Sequence, residues 1–252
     1  MYLEYFYFLF CLFITRLFYQ WNKENNSFRI EMLTCALEIL LLLPLFSLSG
    51  GSFILICLLI VFHILIFLYE KNEKGIYLKR FIEFALIIII GGFLFGLLGQ
   101  NLRFNTIAIR IAEYIINHHP ILTAFGSNKL RIVLVYSSGI LITANEINHL
   151  IRYILQSIDI RENDKGESDN IGSREIKRGK IIGIIERIMF FFFVISGNYT
   201  SIAFILTAKG ITRYKALDDK DFAEYVLIGT LLSSALAIIG AYFFKNLITI
   251  IR

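Results

Sequence analysis

Proline is almost absent from this 252-residue chain, which has only Pro44 and Pro120. So little punctuation suits long helices and argues against a loop-rich fold. Cysteine is scarce too: Cys11, Cys35 and Cys57 each lie inside an apolar run, with no Cys-x-x-Cys pair and no histidine at zinc-ligand spacing. A disulfide framework and a structural zinc site are therefore not expected, and the three read as small buried hydrophobes. The chain has no Gly-x-x-x-x-Gly-Lys-Ser/Thr phosphate loop, no Gly-x-Gly-x-x-Gly, no His-Glu-x-x-His and no Gly-x-Ser-x-Gly elbow. No nucleophile with its base can be assembled from the sequence, so no catalytic residue, metal or cofactor is assigned. Charge is also thin, at 18% of residues.

Apolar residues fill the space. They make up 57% of the chain, with 15% aromatic and a mean hydropathy of +0.68, against about 45–50% apolar in a soluble domain. A helix that crosses a bilayer needs roughly 20 mostly apolar residues. Runs of about that length begin at Tyr2, Ile30, Phe53, Phe81, Ile132, Ile181, Thr200 and Phe222. The first, Tyr2 to Tyr19, lacks the basic start and small-residue cleavage site of a signal peptide and is read as a retained helix. The expected fold is all-α, a polytopic transmembrane bundle of seven to eight spanning helices. One amphipathic surface helix joins it near 101–119, where Ile107, Ile111, Tyr114 and Ile115 recur at helical spacing beside Arg103, Arg110 and Glu113.

Composition divides the chain into an N-terminal membrane region, 1–156, a charged loop, 157–180, and a C-terminal membrane region, 181–252. The uncharged Ser49-Gly50-Gly51-Ser52 is read as a tight reversal, as is Gly197-Asn198-Tyr199. Phe190 to Phe193 are expected to face lipid. Net charge is +5 with a pI near 9.0, but the basic residues sit between apolar runs, so their partner is an anionic leaflet and not nucleic acid. If every helix spans, Lys23, Arg29, Lys71, Lys74, Lys79, Arg80 and the cluster from Arg161 to Lys180 fall on one side. The positive-inside rule makes that side cytoplasmic and the N-terminus external.

Ionisable groups inside spanning segments cost about 2.5–3.5 kcal/mol each at a helix centre, so they are where function would lie. Ser138, Asn145, Asn148, His149 and Arg152 are three, four or seven residues apart and form a polar face on the fifth helix. That face either lines a hydrated path or bonds to neighbouring helices. Arg152, Lys209 and Arg213, with Glu186, Arg187 and Glu224, form a candidate cluster for a phosphate, a carboxylate or an anionic lipid head group, or else a brace that fixes helix register. Glu38 and Glu83 stand in apolar runs as candidate proton or cation sites, and Asp218, Asp219 and Asp221 are read as caps of the last helix. Gly92 and Gly96, and the stripe Gly229, Ser233, Ala237 and Ala241, offer faces for close helix contact with the same chain, a second copy or a membrane partner.

The blocks Gly179-Lys-Ile-Ile-Gly-Ile-Ile-Glu-Arg187, Ala208-Lys-Gly-Ile-Thr-Arg213 and Ala223-Glu-Tyr-Val-Leu-Ile-Gly-Thr230 resemble the C-terminal region of a family of bacterial polytopic membrane proteins of unassigned function. The segment Asn145-Glu-Ile-Asn-His-Leu-Ile-Arg152 is loosely similar to the preceding helix of that family. The resemblance implies a bacterial inner membrane and marks Glu186, Arg187, Lys209, Arg213 and Glu224, while naming no substrate. The leading expectation is a transporter-like or ligand-sensing bundle, more a binding protein than an enzyme. A subunit of a membrane assembly comes second and an intramembrane enzyme acting on lipid third.

Overall fold

A computed structural model describes residues 2–22, 28–45, 50–70, 76–98, 102–118, 127–157, 170–212 and 220–251. These residues are helical apart from short connections, and no strand occurs among them. The chain forms two compact units, Met1–Leu141 and Ile142–Arg252. The division falls inside the fifth apolar run, which the sequence reading assigns wholly to the N-terminal region.

The first unit contains α1 (Tyr2–Asn22), α2 (Phe28–Leu42) running into a 3-10 turn (Leu43–Leu45), α3 (Gly50–Glu70), α4 (Ile76–Leu98), α5 (Thr106–His118) and α6 (Ser127–Leu141). Helix α1 is its axis and packs against α2, α4 and α6. Phe6, Phe8, Leu9, Cys11, Leu12 and Phe13 are all buried, so this helix shows little of itself to the outside. Aromatic contacts with tilted rings, Phe8 to Phe95 at 5.2 Å and Phe13 to Phe84 at 5.8 Å between centroids, fix α1 on α4. Helix α2 ends where Pro44 removes a backbone donor. The carbonyls this strands are taken up from outside the helix: Tyr7 Oη donates to Leu41 O at 2.7 Å, Asn105 N to Pro44 O at 2.8 Å, and Asn105 Nδ2 to Leu43 O at 2.9 Å. Asn105 also caps α5, its Oδ1 accepting from Ala108 N at 2.7 Å.

The second unit opens with a π-helical turn (Ile142–Glu146) that continues from α6 into α7 (Ile147–Ser157), followed by α8 (Asn170–Ser196), α9 (Tyr199–Thr212) and α10 (Lys220–Ile251). Helix α10 lies along α8 and α7. The expected small-residue stripe makes this contact: Ala237 and Ala241 are fully buried, and a side chain on Gly229 would meet Leu155. Helix α8 turns into α9 through Gly197, whose φ of 74° is open to glycine. Asn198 N donates to Phe193 O and Gly197 N to Val194 O, which closes the helix in a Schellman arrangement, and Asn198 Oδ1 then caps α9 at Ser201 N. The reversal expected at Gly197-Asn198-Tyr199 is therefore present.

Among the described residues, three helices are long and apolar enough to cross a membrane: Tyr77–Leu98, Lys129–Ser157 and Leu227–Ile250. That is fewer than the seven to eight expected. Met32–Leu45, Gly50–Ile66 and Tyr199–Ile211 are apolar but shorter, and α8 carries charge through its middle. In the first and third long helices only 22% of the apolar window is buried. Phe93, Leu97, Tyr242 and Phe243 point outward, an arrangement costly in water and ordinary in lipid. The apolar residues Ile107, Ile111, Tyr114 and Ile115 of α5 are likewise exposed along one side, as an interfacial helix requires.

Several expectations are corrected. Residues 170–180 belong to α8 and not to the charged loop, because Arg174, Glu175, Lys177 and Arg178 are polar but good helix formers, and polarity alone does not break a helix; 158–169 lie outside the described residues. Gly50 and Gly51 begin α3 instead of forming a reversal. Phe190 and Phe191 are core residues and only Phe192 faces fully outward, since four successive positions go round a helix and cannot share a face. Cys11 is buried as expected, but Cys57 is exposed on the outer side of α3.

Candidate functional site

The chemistry in both units lies in ionisable side chains held between apolar helices. In the second unit the centre is Arg187, 3% exposed. Its Nε donates to Thr143 O at 3.0 Å, its Nη2 to Ala144 O at 3.1 Å and its Nη1 to Ser233 Oγ at 3.3 Å. Both carbonyls belong to the π-helical turn, where the i to i+5 pattern loosens the regular ladder and leaves oxygens accessible to a third party. Three helical segments thus converge on one guanidinium, whose planar fork fits them without a carboxylate.

Glu186, one residue earlier, points elsewhere. Its Oε2 accepts from Lys209 Nζ at 2.5 Å, with both side chains largely buried. The pair follows from the α8–α9 hairpin, because Glu186 and Lys209 lie at near-equal distances from the Gly197 turn. Within the cluster expected from sequence, Glu186 and Lys209 pair with each other, while Arg187 binds backbone and Ser233 with Glu186 near enough to interact electrostatically. Arg152 is half-buried on α7, Glu224 is exposed near the start of α10, and Arg213 lies outside the described residues.

The polar face of the fifth run also divides. Ser138 is buried and donates to Leu134 O within its own helix. Beyond it, Asn145 Nδ2 donates to Glu146 Oε1 at 2.9 Å, His149 is buried and Asn148 half-buried. The spacing argument assumes an unbroken 3.6-residue period, and the π turn between Ser138 and His149 offsets everything after it. The residues that the stripe does not predict, Thr143 and Glu146, are among the most deeply buried polar groups here.

In the first unit, consecutive residues of α1 each reach a buried carboxylate. Thr15 Oγ1 donates to Glu38 Oε2 at 3.3 Å, and the same oxygen lies 3.0 Å from His63 Nε2 on α3. Arg16 Nη1 meets Glu83 Oε2 on α4 at 3.1 Å, and its Nη2 donates to Arg80 O at 2.5 Å. Glu38 and Glu83 stand out in the sequence as charges in apolar runs. Their partners Arg16 and His63 do not, although the same signal, an ionisable residue inside an apolar run, marks them both.

A half-open cavity of about 160 Å³ lies between α1, α3 and α4, lined by Phe8, Leu12, Leu59, Phe62, Ile87 and Gly91 among others, all without polar side chains. It offers shape to an apolar occupant and no group to orient a polar one. No group of three or more potential metal ligands occurs among the described residues. The acidic residues Asp218 and Asp219, read as caps, lie outside the described residues, and so does the side chain of Asp221. Comparison with family models, with curated proteins and with solved structures finds no match to this chain.

Proposed function

We propose that the chain is a multi-pass membrane protein of the transporter-like or ligand-sensing kind, in which Lys209, with Arg152 and Arg213, receives an anionic group and Glu186 holds the site in its absence. The observation that carries this reading is the contrast between two largely buried cations, Arg187 of α8 and Lys209 of α9. Arg187 has its donors committed to backbone and Ser233, whereas Lys209 is paired with the Glu186 carboxylate, a group that an incoming anion can replace. A phosphate or carboxylate offers Lys209 the same charge-assisted contact that Glu186 supplies. The reading adds further spans to the three long helices, because α3 runs 21 residues, about 32 Å at 1.5 Å per residue, close to the hydrocarbon thickness. The setting proposed is a bacterial inner membrane, on the resemblance of the last third, with the N-terminus outside and the stretch from Ser157 to Lys180 cytoplasmic.

The test is thermal stability of the purified protein in detergent against anionic lipids and phosphorylated metabolites, with Lys209→Gln/Arg213→Gln alongside. Stabilisation by one class of anion, lost in the double variant, is the expected result. Stabilisation that survives the double variant, or none with any anion, contradicts the reading.

A second reading, a subunit of a membrane assembly, has one observation in its favour. Gly92 and Gly96 are exposed on α4, and a side chain at Gly96 would meet nothing within 4 Å, so this face is open to a neighbouring helix. The stripe on α10 is already used within its own unit. If α4 is the contact, Gly96→Leu shifts the native mass in mild detergent to a smaller species while the melting temperature holds.

A further inference from the structure

Glu38 is 3% exposed at the junction of α1, α2 and α3, and its two oxygens have different surroundings. Oε2 is shared between Thr15 Oγ1 and His63 Nε2, while Oε1 is buried and meets no hydrogen-bond donor among the described residues. A carboxylate burying a bare oxygen is expensive, and the cost falls when a proton occupies it. The imidazole is somewhat less enclosed, its side chain 13% exposed.

Around the pair, Cys11 of α1 interacts electrostatically with Glu38 through its thiol, Arg16 of α1 is held by Glu83 of α4, and Cys35 precedes Glu38 by three residues on α2. No group of three or more potential metal ligands occurs among the described residues, whereas a proton needs only one acceptor atom.

We propose that Glu38 and His63 form a proton-binding site in the first unit, distinct from the anion cluster of the second. With one proton the pair is neutral, as carboxylate and imidazolium or as carboxyl and imidazole, and a second proton goes to Oε1 and leaves the pair with one positive charge. The two groups meet at one oxygen, Oε2, so a proton on either is felt by the other. A membrane protein that gains and loses charge here carries a sensor, or a coupling site, for protons.

The experiment uses the full chain in phosphatidylcholine vesicles and records infrared difference spectra as the pH is lowered from about 8 to about 5, the interval in which histidine ordinarily changes charge. Wild type is expected to gain the carbonyl band of a protonated carboxylic acid that Glu38→Gln lacks, and His63→Gln is expected to move the midpoint of that band by about one pH unit or more. An identical band in Glu38→Gln, or an unmoved midpoint in His63→Gln, overturns the proposal. A second measurement needs no variant: of the four histidines, one ring in the ¹⁵N spectrum of the wild-type protein is expected to titrate with the midpoint of the carboxyl band. No such ring contradicts the proposal even if both variants fail to fold.

Discussion

The two units bury their arginines by different means. In the first, Arg16 meets the carboxylate of Glu83, beside a second pair of ionisable side chains, Glu38 and His63. In the second, Arg187 is held by two carbonyls and a hydroxyl, and the backbone itself is reshaped into a π turn to present them. A side-chain pair can be dismantled as a pair, since removing both members leaves apolar residues that pack at little cost. Of the partners of Arg187, mutation can delete only the hydroxyl of Ser233 and not the two carbonyls. Side-chain pairs, Lys209 with Glu186 of the second unit included, leave groups able to exchange protons or ligands, and the backbone-held arginine fixes geometry.

This contrast can be broken by substitution. The largest effect is expected for Arg16→Met, which leaves the Glu83 carboxylate buried beside an apolar neighbour and costs about 3–5 kcal/mol by the precedent of split ion pairs; thermal unfolding in detergent reads it. Arg187→Met comes next. It withdraws donors from Thr143 O and Ala144 O, about 1–3 kcal/mol for each buried group left unsatisfied, and Arg187→Lys is expected to recover only part because one ammonium cannot span all three acceptors.

Smaller effects sharpen the packing side. A side chain on Gly91 would lie 3.0 Å from Phe8 Cε1, whereas on Gly96 it meets open space. Gly91→Ala is therefore expected to lower stability by about 1–3 kcal/mol through overpacking, and Gly96→Ala to leave it unchanged or raise it by up to about 1 kcal/mol through helix propensity. The smallest change is Asn198→Ala, which removes the cap of α9 for about 1 kcal/mol and loosens the hairpin that brings Lys209 to Glu186.

Much of this architecture is legible in the sequence, because apolar runs of helical length mark α1 and α3 to within a few residues and locate α4 and α10, missing the start of the one and the end of the other. Charges inside such runs point to Glu38, Glu83, Glu186 and Arg187. What escapes is pairing. Nothing local to Arg16 or His63 says which helix each will face, and that choice is made by tertiary packing of α1 against α2 and α4. The π turn escapes for the same reason: Ile-Thr-Ala-Asn-Glu, residues 142–146, has no feature that demands a wider turn, and the turn becomes worthwhile only where Arg187 donates to its carbonyls. The helical start of α8 was hidden by polarity, since Asn170 to Lys180 looks like a loop when judged by hydrophobicity and like a helix when judged by propensity.

The most direct test is a stability cycle on Arg16→Met, Glu83→Leu and the two together, measured beside Arg187→Met under identical detergent conditions. If the first unit holds charge by pairing, each single variant is destabilised and the double variant recovers to within about 1.5 kcal/mol of wild type, while Arg187→Met stays destabilised. Additive losses in the double variant, or an Arg187→Met protein as stable as wild type, would contradict that division between paired and backbone-held charge.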